Sequence, residues 1–156
     1  MRSCNAAVFT MRLSPPPAPL DRTLDLNNFV AGWVDWNICL DEKGGPTWVN
    51  NNLDSPIIVN AAADKFYKQP MFYAMGHLSK FIKPDSARIS AKVTGKQSVL
   101  ATAFTCQGRR TLVLLNKHDS SQDLLVTDST TEHHIRLTVD PRCLVTVLWE
   151  KQQSYM

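Results

Sequence analysis

The chain has 156 residues, of which 44% are hydrophobic and 20% are charged, and its formal net charge is +3. This length suits one ordinary domain or parts of two, and the composition is that of a folded chain rather than a disordered one. The basic residues are scattered, with Arg109-Arg110 as the only adjacent pair. The charge pattern therefore argues against a nucleic-acid partner, which usually requires a dense basic stripe.

The first 20 residues differ in character from the rest. Ser14 to Pro19 is rich in proline and polyproline-prone, as in a linker. Arg12 interrupts the short apolar stretch before it, so the segment is not a convincing signal peptide. The apolar runs of the chain are far shorter than the roughly 20 residues that a membrane span needs. We expect residues 1–20 to be a disordered leader.

From Asp21 to about Pro84 the chain is rich in aromatic, Asn and turn residues. Phe29 to Val34 is an apolar run with a polar and aromatic end, which is typical of a strand buried on both faces. Gly44-Gly45-Pro46 is a strong turn signal, and a short apolar run follows at residues 55–59. This order predicts a strand followed by a long loop.

A helix is predicted next. Asp64 can cap a helix that begins near Phe66 or Lys68, with Pro70 tolerated in its first turn. One face of this helix carries apolar and small residues spaced three to four apart, and Pro84 ends the helix. This apolar face consists of Phe72, Met75, Ser79 and Ile82, and it is widened by Leu78 and Phe81. A lone strand and helix cannot bury both strand faces, so we expect the chain to be a piece of a larger assembly.

From Ala87 to Glu150 the chain is a series of short β-type runs separated by Gly, Pro, Asp and Ser. The six runs lie about 8–12 residues apart, at residues 89–94, 99–104, 111–115, 124–127, 135–139 and 143–149. Such spacing predicts an antiparallel sandwich or barrel whose apolar positions form a core.

The cysteines give no sign of a metal site. Cys4, Cys39, Cys106 and Cys143 are far apart, without a Cys-x-x-Cys spacing. We expect free buried thiols, and neither a metal nor a cofactor.

Four motifs resemble one family. They are GWVDWN at residues 32–37, GGPTW at 44–48, DSPIIV at 54–59, and FYKQPMFY at 66–73 with GH at 76–77 and SKFI at 79–82. In this order they resemble the C-terminal part of animal glucosylceramidases of glycoside hydrolase family 30. The resemblance runs from about Leu24 to Trp149, and it is densest from Gly32 to Pro84.

The resemblance implies an α/β plus all-β fold. It places the last β/α unit of a (β/α)8 TIM barrel before a C-terminal antiparallel β-sandwich. Residues Trp33 to Ile38 would form the last barrel strand, and Phe66 to Lys83 the last barrel helix. The corresponding domains are the leader at 1–20, the barrel end at 21–84 and the sandwich at 85–153.

The implied activity is hydrolysis of the β-glucosidic bond of glucosylceramide. The family retains configuration by using two carboxylates about 5–5.5 Å apart. Both are glutamates upstream of the matching region, and Glu42, Glu132 and Glu150 match neither position. We therefore expect a fragment without catalytic residues, inactive alone. Asp35 is expected to order the strand end, and Asp54 to form a turn.

Four residues are implied to bind substrate: Trp36, Asn51, Asn52 and Leu53. Trp36 would line the glucose pocket with its flat apolar face, and the Asn51 amide would both donate to and accept from sugar hydroxyls. Asn52 and Leu53 would shape the rim where the lipid leaves. Without the resemblance, Trp36 would be assigned to the core and Asn51 to a turn. The other aromatic residues of this part are expected in the core: Trp33, Trp48, Phe72 and Tyr73.

Two positions depart from the family pattern. Thr47 stands where Asn is expected, and Asn52 stands where an aromatic or apolar residue is expected, which makes the rim more polar.

The resemblance also implies a lysosomal, membrane-associated location. The partners that it implies are an anionic lipid surface and a saposin-type activator.

Two alternatives remain open. The chain could be a non-catalytic sandwich module that binds a sugar, a lipid surface or a protein, or it could be a non-functional translation product. Transcript sequence upstream of Leu24 distinguishes them from the enzyme fragment. A fragment of this kind should expose strand edges and the apolar face of its helix, and should be poorly soluble alone.

Overall fold

The computed structural model describes residues 6–12, 22–32, 34, 36–94, 99–131 and 134–150. Its helices are α1 (Arg22–Asn27) and α2 (Pro70–Phe81). Its strands are β1 (Ala7–Arg12), β2 (Cys39–Asp41), β3 (Ile57–Asn60), β4 (Lys65–Lys68), β5 (Ala87–Ile89), β6 (Val99–Cys106), β7 (Arg109–Asn116), β8 (Gln122–Thr127), β9 (His134–Val139) and β10 (Cys143–Glu150). Within these residues no helix has the length and apolarity needed to cross a membrane.

An antiparallel five-stranded sheet is the centre of the structure, with the strand order β1-β10-β7-β6-β5. Strands β6 and β7 are joined by Gln107 and Gly108, which both have positive φ (49° and 81°). Two successive positive φ values give the hairpin turn whose twist matches that of the flanking strands. The strands predicted for β6 to β10 are confirmed, whereas the predicted run at residues 89–94 contributes only its first residue, Ile89, to β5.

Both faces of this sheet are buried, which explains the nearly continuous apolar runs of β7 and β10. One face packs against the β8–β9 hairpin, and its core includes Leu112, Leu114, Val145 and Val147. The opposite face packs against α2 through a second core formed by Val113, Leu115, Leu144 and Leu78. The sandwich therefore has a helix as a third layer.

Helix α2 is held on the sheet by apolar and polar contacts. Pro70 occupies the first turn, as predicted, because a missing N–H costs nothing there. His77 is buried, and its Nδ1 lies 2.9 Å from the Thr146 hydroxyl. The Thr111 hydroxyl donates to the carbonyl of Phe81 at 3.3 Å, which satisfies one group at the helix end.

The predicted start of this helix at residues 66–68 is wrong. Lys65–Lys68 form β4 and pair antiparallel with β3, because the pairing satisfies backbone groups that a longer helix would satisfy internally. Asp64 does not cap α2. It has φ 50° and follows a 3-10 turn at Ala61–Ala63, which the side chain of Asn60 caps.

The predicted barrel strand at residues 33–38 is also absent at its described positions, 34 and 36–38. Val34 and residues 36–38 lie outside any strand, and Trp33 and Asp35 lie outside the described residues. The strand begins at Cys39, where this part of the chain has a partner: β2 pairs in parallel with β3, from Cys39 opposite Ile57 to Asp41 opposite Val59. Parallel pairing depends on a distant segment, so local apolarity alone does not set the start of the strand.

The expectation of a disordered leader is wrong for part of it. Ala7–Arg12 form β1, which pairs with β10 from Ala7 opposite Leu148 to Arg12 opposite Cys143. The Phe9 ring lies 4.5 Å from the Phe81 ring, between centroids. The edge of β10 and the end of α2 thus bind this segment. Residues 1–5 and 13–21, including the proline-rich stretch, lie outside the described residues.

Candidate functional site

Three of the four predicted substrate residues lie on the crossover between two parallel strands, and the fourth, Trp36, precedes the first of these strands. Strands β2 and β3 run in the same direction, so the chain must return through residues 42–56 before it can pair again. Asn51, Asn52 and Leu53 lie on this connection, which we call the crossover loop.

The start of the crossover loop is organised by Asp41. Its Oδ1 accepts hydrogen bonds from the backbone N–H groups of Gly45 and Lys43, both at 2.8 Å. The Asp41 N–H donates to the Gly45 carbonyl at 2.7 Å. The N–H of Gly45, followed by that of Lys43, lowers the pKa of the Asp41 carboxyl. An ionised Asp41 therefore holds a tight turn at the end of β2.

Gly44 provides the contact between the two ends of the loop. Its φ is +79°, and a Cβ built there would lie 2.5 Å from the carbonyl oxygen and 2.9 Å from the nitrogen of Leu53. The Leu53 N–H donates to the Gly44 carbonyl at 3.4 Å. Only glycine meets both requirements, a left-handed backbone and close approach of another chain segment.

Thr47 organises the middle of the loop. Its Oγ1 accepts from the N–H of Asn51 at 3.2 Å and from the N–H of Val49 at 3.3 Å. A threonine hydroxyl commonly satisfies backbone donors a few residues ahead in this manner.

Asp54 fixes the end of the loop by bonding neighbouring backbone with its side chain, as predicted, but the chain makes no turn at residues 54 and 55. Its Oδ1 accepts from the N–H of Ser55 at 2.8 Å and from the side-chain amide of Gln69. Ser55 is fully buried, and its hydroxyl donates to the Ile57 carbonyl at 2.6 Å. The Gln69 N–H donates to the Pro56 carbonyl at 2.9 Å, so this end of the loop is joined to the start of α2.

The four predicted substrate residues are all accessible. Trp36 is 71% exposed, Asn51 and Asn52 are exposed, and Leu53 is 39% exposed. The expected core positions of Trp48 and Tyr73 are wrong, because Trp48 is fully exposed and Tyr73 is about half exposed. Phe72 is half-buried and meets Tyr73 edge to face at 5.4 Å between ring centroids. Trp33 and Asp35 lie outside the described residues.

The glutamates are divided between the two parts of the chain. Glu42 lies in the crossover loop and accepts a hydrogen bond from the Asn60 side chain at 2.9 Å. Glu150 is exposed at the end of β10, and Glu132 lies outside the described residues. In the described ranges, no group of three or more His, Cys, Asp or Glu side chains is arranged to hold a metal ion.

The cysteines differ in exposure, contrary to the expectation of buried thiols. Cys39 is exposed, Cys106 is half-buried and Cys143 is buried, and all three are free thiols. Burial raises the pKa of the Cys143 thiol, so its reactive thiolate form is disfavoured.

The sandwich contains a cleft that sequence reasoning did not find. It has a volume of about 520 Å³ and is lined by apolar residues of β6, β7 and β8, with Arg110, Asp128 and Trp149 at its polar part. Asp128 Oδ2 accepts from the Trp149 indole at 3.1 Å and lies 3.5 Å from Arg110 Nε. Burial opposes ionisation of Asp128, but hydrogen bonds from Thr130 and Trp149 outweigh it and lower its pKa. The sequence gives no sign of this cluster, because Asp128 is a single acidic residue after β8 and is far in sequence from Trp149.

Comparison with known families decides the relationship of the chain. Residues 20–82 match the glycosyl hydrolase family 30 TIM-barrel domain, and residues 85–147 match the glycosyl hydrolase family 30 beta sandwich domain. The chain belongs to glycosyl hydrolase family 30. Its fold is therefore a part of the family barrel followed by the family sandwich, as predicted, and β1 lies before both matched regions.

Curated members of the family are clearly related to the chain. It is 49% identical over 134 residues to putative glucosylceramidase 3 of Caenorhabditis elegans, covering 85% of this chain and 26% of that protein. It is 44% identical over 126 residues to the lysosomal acid glucosylceramidase of Mus musculus, covering 79% of this chain and 24% of that protein. The chain thus spans about a quarter of the length of these relatives.

Solved structures share the fold. SrfJ from Salmonella typhimurium matches with a TM-score of 0.76 at 24% identity, over 90% of this chain and 34% of that one. The endo-β1,6-glucanase BT3312 matches with a TM-score of 0.72 at 23% identity, over 83% of this chain and 29% of that one. At these identities the likeness concerns architecture alone.

Proposed function

We propose that this chain carries one wall of the substrate site of a glucosylceramidase, an enzyme that hydrolyses the β-glucosidic bond of glucosylceramide to glucose and ceramide. The proposal is supported by the two family 30 matches and by relatives named glucosylceramidase at 49% and 44% identity. One structural observation adds to them: the crossover loop presents Asn51 on a backbone held by Thr47.

The roles of the four residues follow from their chemistry. The Trp36 indole offers a flat apolar face to sugar C–H groups, and the Asn51 amide can both donate to and accept from sugar hydroxyls. Asn52 and Leu53 form the rim beside the lipid part, where the polar Asn52 weakens a strict preference for ceramide. These contacts orient the substrate and break no bond.

Bond cleavage requires groups that we do not assign to this chain. A retaining glycosidase needs a nucleophile and an acid/base about 5–5.5 Å apart. Because Glu42, Glu132 and Glu150 match neither family glutamate, we propose that the 156-residue chain alone does not hydrolyse glucosides. The family resemblance further supports a lysosomal, membrane-associated setting with anionic lipid and a saposin-type activator.

The test uses the purified 156-residue chain and methyl β-D-glucoside. Titration should shift the NMR signals of the Trp36 indole N–H and the Asn51 side-chain amide, with an affinity on the order of millimolar, as for a site with few contacts. Methyl β-D-galactoside, which differs at one hydroxyl, is the matched control and should bind more weakly. The absence of shifts at both residues would remove the proposal.

A hydrolysis assay tests the catalytic part separately. With a fluorogenic β-glucoside, the chain should release product at the rate of buffer alone. Turnover above that rate, or a glucosyl label trapped on a side chain of this polypeptide, would show that the carboxylate assignment is wrong.

A non-catalytic sandwich module is the second candidate, and the cleft beside Trp149 is the observation that favours it. The cleft combines apolar walls with the Arg110–Asp128 pair, a lining suited to an amphipathic ligand. If glucoside shifts appear at Trp149 rather than at Trp36, the module is the better description.

A further inference from the structure

The crossover loop has contacts at its two ends and one side chain that acts within it. Gly44 meets the backbone of Leu53, and Asp54 joins the loop to Gln69. Between these ends the Thr47 hydroxyl accepts from two backbone N–H groups, those of Asn51 and Val49. Thr47 is half-buried, whereas Asn51 itself is exposed.

An exposed side chain keeps a fixed position only if its backbone is restrained. The Asn51 side chain has two rotatable bonds, and any motion of its backbone adds to their freedom. The hydrogen bond from the Asn51 N–H to Thr47 Oγ1, at 3.2 Å, restrains that backbone directly. Without the Thr47 hydroxyl, the backbone N–H of Asn51 would donate to water instead, and this restraint on the middle of the loop would be lost.

We propose that Thr47 is a positioning residue for Asn51: its hydroxyl fixes the backbone of the loop so that the Asn51 amide meets the sugar in one orientation. This role rests on the proposed sugar contact of Asn51. Thr47 stands where the family resemblance places Asn, and both side chains offer an oxygen that can accept from backbone N–H groups ahead in the chain. The hydroxyl thus preserves the acceptor despite the change of residue.

Two substitutions separate the hydroxyl from the size of the side chain. Thr47→Val keeps the branched shape and removes the acceptor, whereas Thr47→Ser keeps the acceptor and removes a methyl group. Each variant is made in the complete 156-residue chain. Persisting amide protection at Leu115 of β7, a residue that is 1% exposed, shows that a variant retains its fold.

The first measurement is the hydrogen-exchange rate of the Asn51 amide by NMR, without ligand. Thr47→Val should raise this rate about tenfold, the effect of losing one hydrogen bond, and Thr47→Ser should restore the wild-type rate. An unchanged Asn51 rate in Thr47→Val would overturn the proposal. Equal acceleration in both variants would also overturn it, because the hydroxyl would then not be the cause.

The second measurement is the affinity for methyl β-D-glucoside. Thr47→Val should weaken binding several-fold, and Thr47→Ser should bind like the wild type. Faster exchange with unchanged affinity would overturn the positioning role. If the wild-type chain binds no glucoside, the proposed function fails, and the exchange rates alone then decide whether Thr47 holds the loop.

Discussion

The sandwich and the barrel-derived segment of this chain differ in how they treat apolar side chains. Strands β7 and β10 place nearly every apolar residue in a core, with Val113 and Val147 fully buried. In the segment from residue 29 to residue 53, several large apolar residues are mostly exposed: Phe29, Val34, Trp36, Ile38, Trp48 and Val49. Similar hydrophobicity therefore leads to opposite burial in two parts of one chain.

The difference shows what each architecture needs from its surroundings. In the sandwich, β5, β6 and β7 pair in sequence order, as do β8 and β9, whereas β10 pairs with β7 and with the distant β1. Much of its core is therefore assembled from segments that are close in sequence. A parallel barrel strand needs a strand on each side, helices on its outer face and the side chains of other strands on its inner face, and these come from distant segments. The following predictions test this contrast, beginning with the largest expected effect.

Matched leucine truncations should separate the two regions most clearly. Leu115→Ala removes a side chain that is 1% exposed and should lower the free energy of unfolding by about 2–5 kcal/mol. Leu53→Ala removes one that is 39% exposed in the crossover loop and should cost about 0.5 kcal/mol or less. Urea unfolding measures both, and similar losses would mean that the loop contributes to a shared core.

Matched glycine substitutions should distinguish a close contact from simple backbone strain. Gly108 has φ +81° and open space around its Cβ position, so Gly108→Ala should cost about 1–2 kcal/mol. Gly44→Ala adds a collision with the Leu53 backbone and should cost more. It should also speed tryptic cleavage after Lys43. Equal costs and equal cleavage rates would contradict the close packing of the loop ends.

The edge strand provides a smaller effect. Phe9→Ala removes the ring that contacts Phe81 and should destabilise the chain by about 1 kcal/mol. Val8→Ala, at a neighbouring exposed position of β1, should cost less. Thermal unfolding of the two variants checks this order, and a harmless Phe9→Ala would remove the expected link between β1 and α2.

The smallest predicted effect is a pH dependence that originates at His77. Burial, followed by repulsion from Lys80, lowers the pKa of His77 in the folded chain, so the unfolded chain binds more protons as the pH falls. The free energy of unfolding should therefore be highest above the ordinary histidine pKa of about 6.5. It should decline as the pH falls from there to the pKa of His77 in the folded chain.

His77→Gln is the matched control for this effect. Glutamine can still hydrogen-bond to Thr146, but it carries no charge at any of these pH values. Urea midpoints between pH 7.5 and pH 5 should depend less on pH in the variant than in the wild type. Parallel curves would assign the acid sensitivity to other groups.

The sandwich strands β6 to β10 could be predicted from sequence because their signals are local. Alternation in β9 and the turn at Gln107-Gly108 each act within a few residues. The strand predicted at residues 89–94 is too long, since only its first residue, Ile89, pairs with β6. Residues 90–94 alternate between apolar and polar as a strand does, but they do not pair with another strand.

The barrel-derived part was harder to predict, because its elements are defined by pairing. The described positions of the predicted strand, 34 and 36–38, are not in a strand, which begins instead at Cys39, where β3 provides a partner. Residues 66–68 of the predicted helix belong to β4. The residues of the candidate site were identified by motif resemblance. Their exposure, and the contacts that Gly44 and Thr47 make, depend on backbone geometry that no motif encodes.

The antiparallel register of β1 on β10 brings the opening and closing stretches of the described chain side by side, with Ala7 opposite Leu148. A short flexible linker between these two stretches would therefore suit a circularly permuted form, with new ends opened at the exposed Ser120. In the unpermuted chain, a donor–acceptor dye pair attached at these two stretches would report fraying of the sheet edge as a loss of energy transfer.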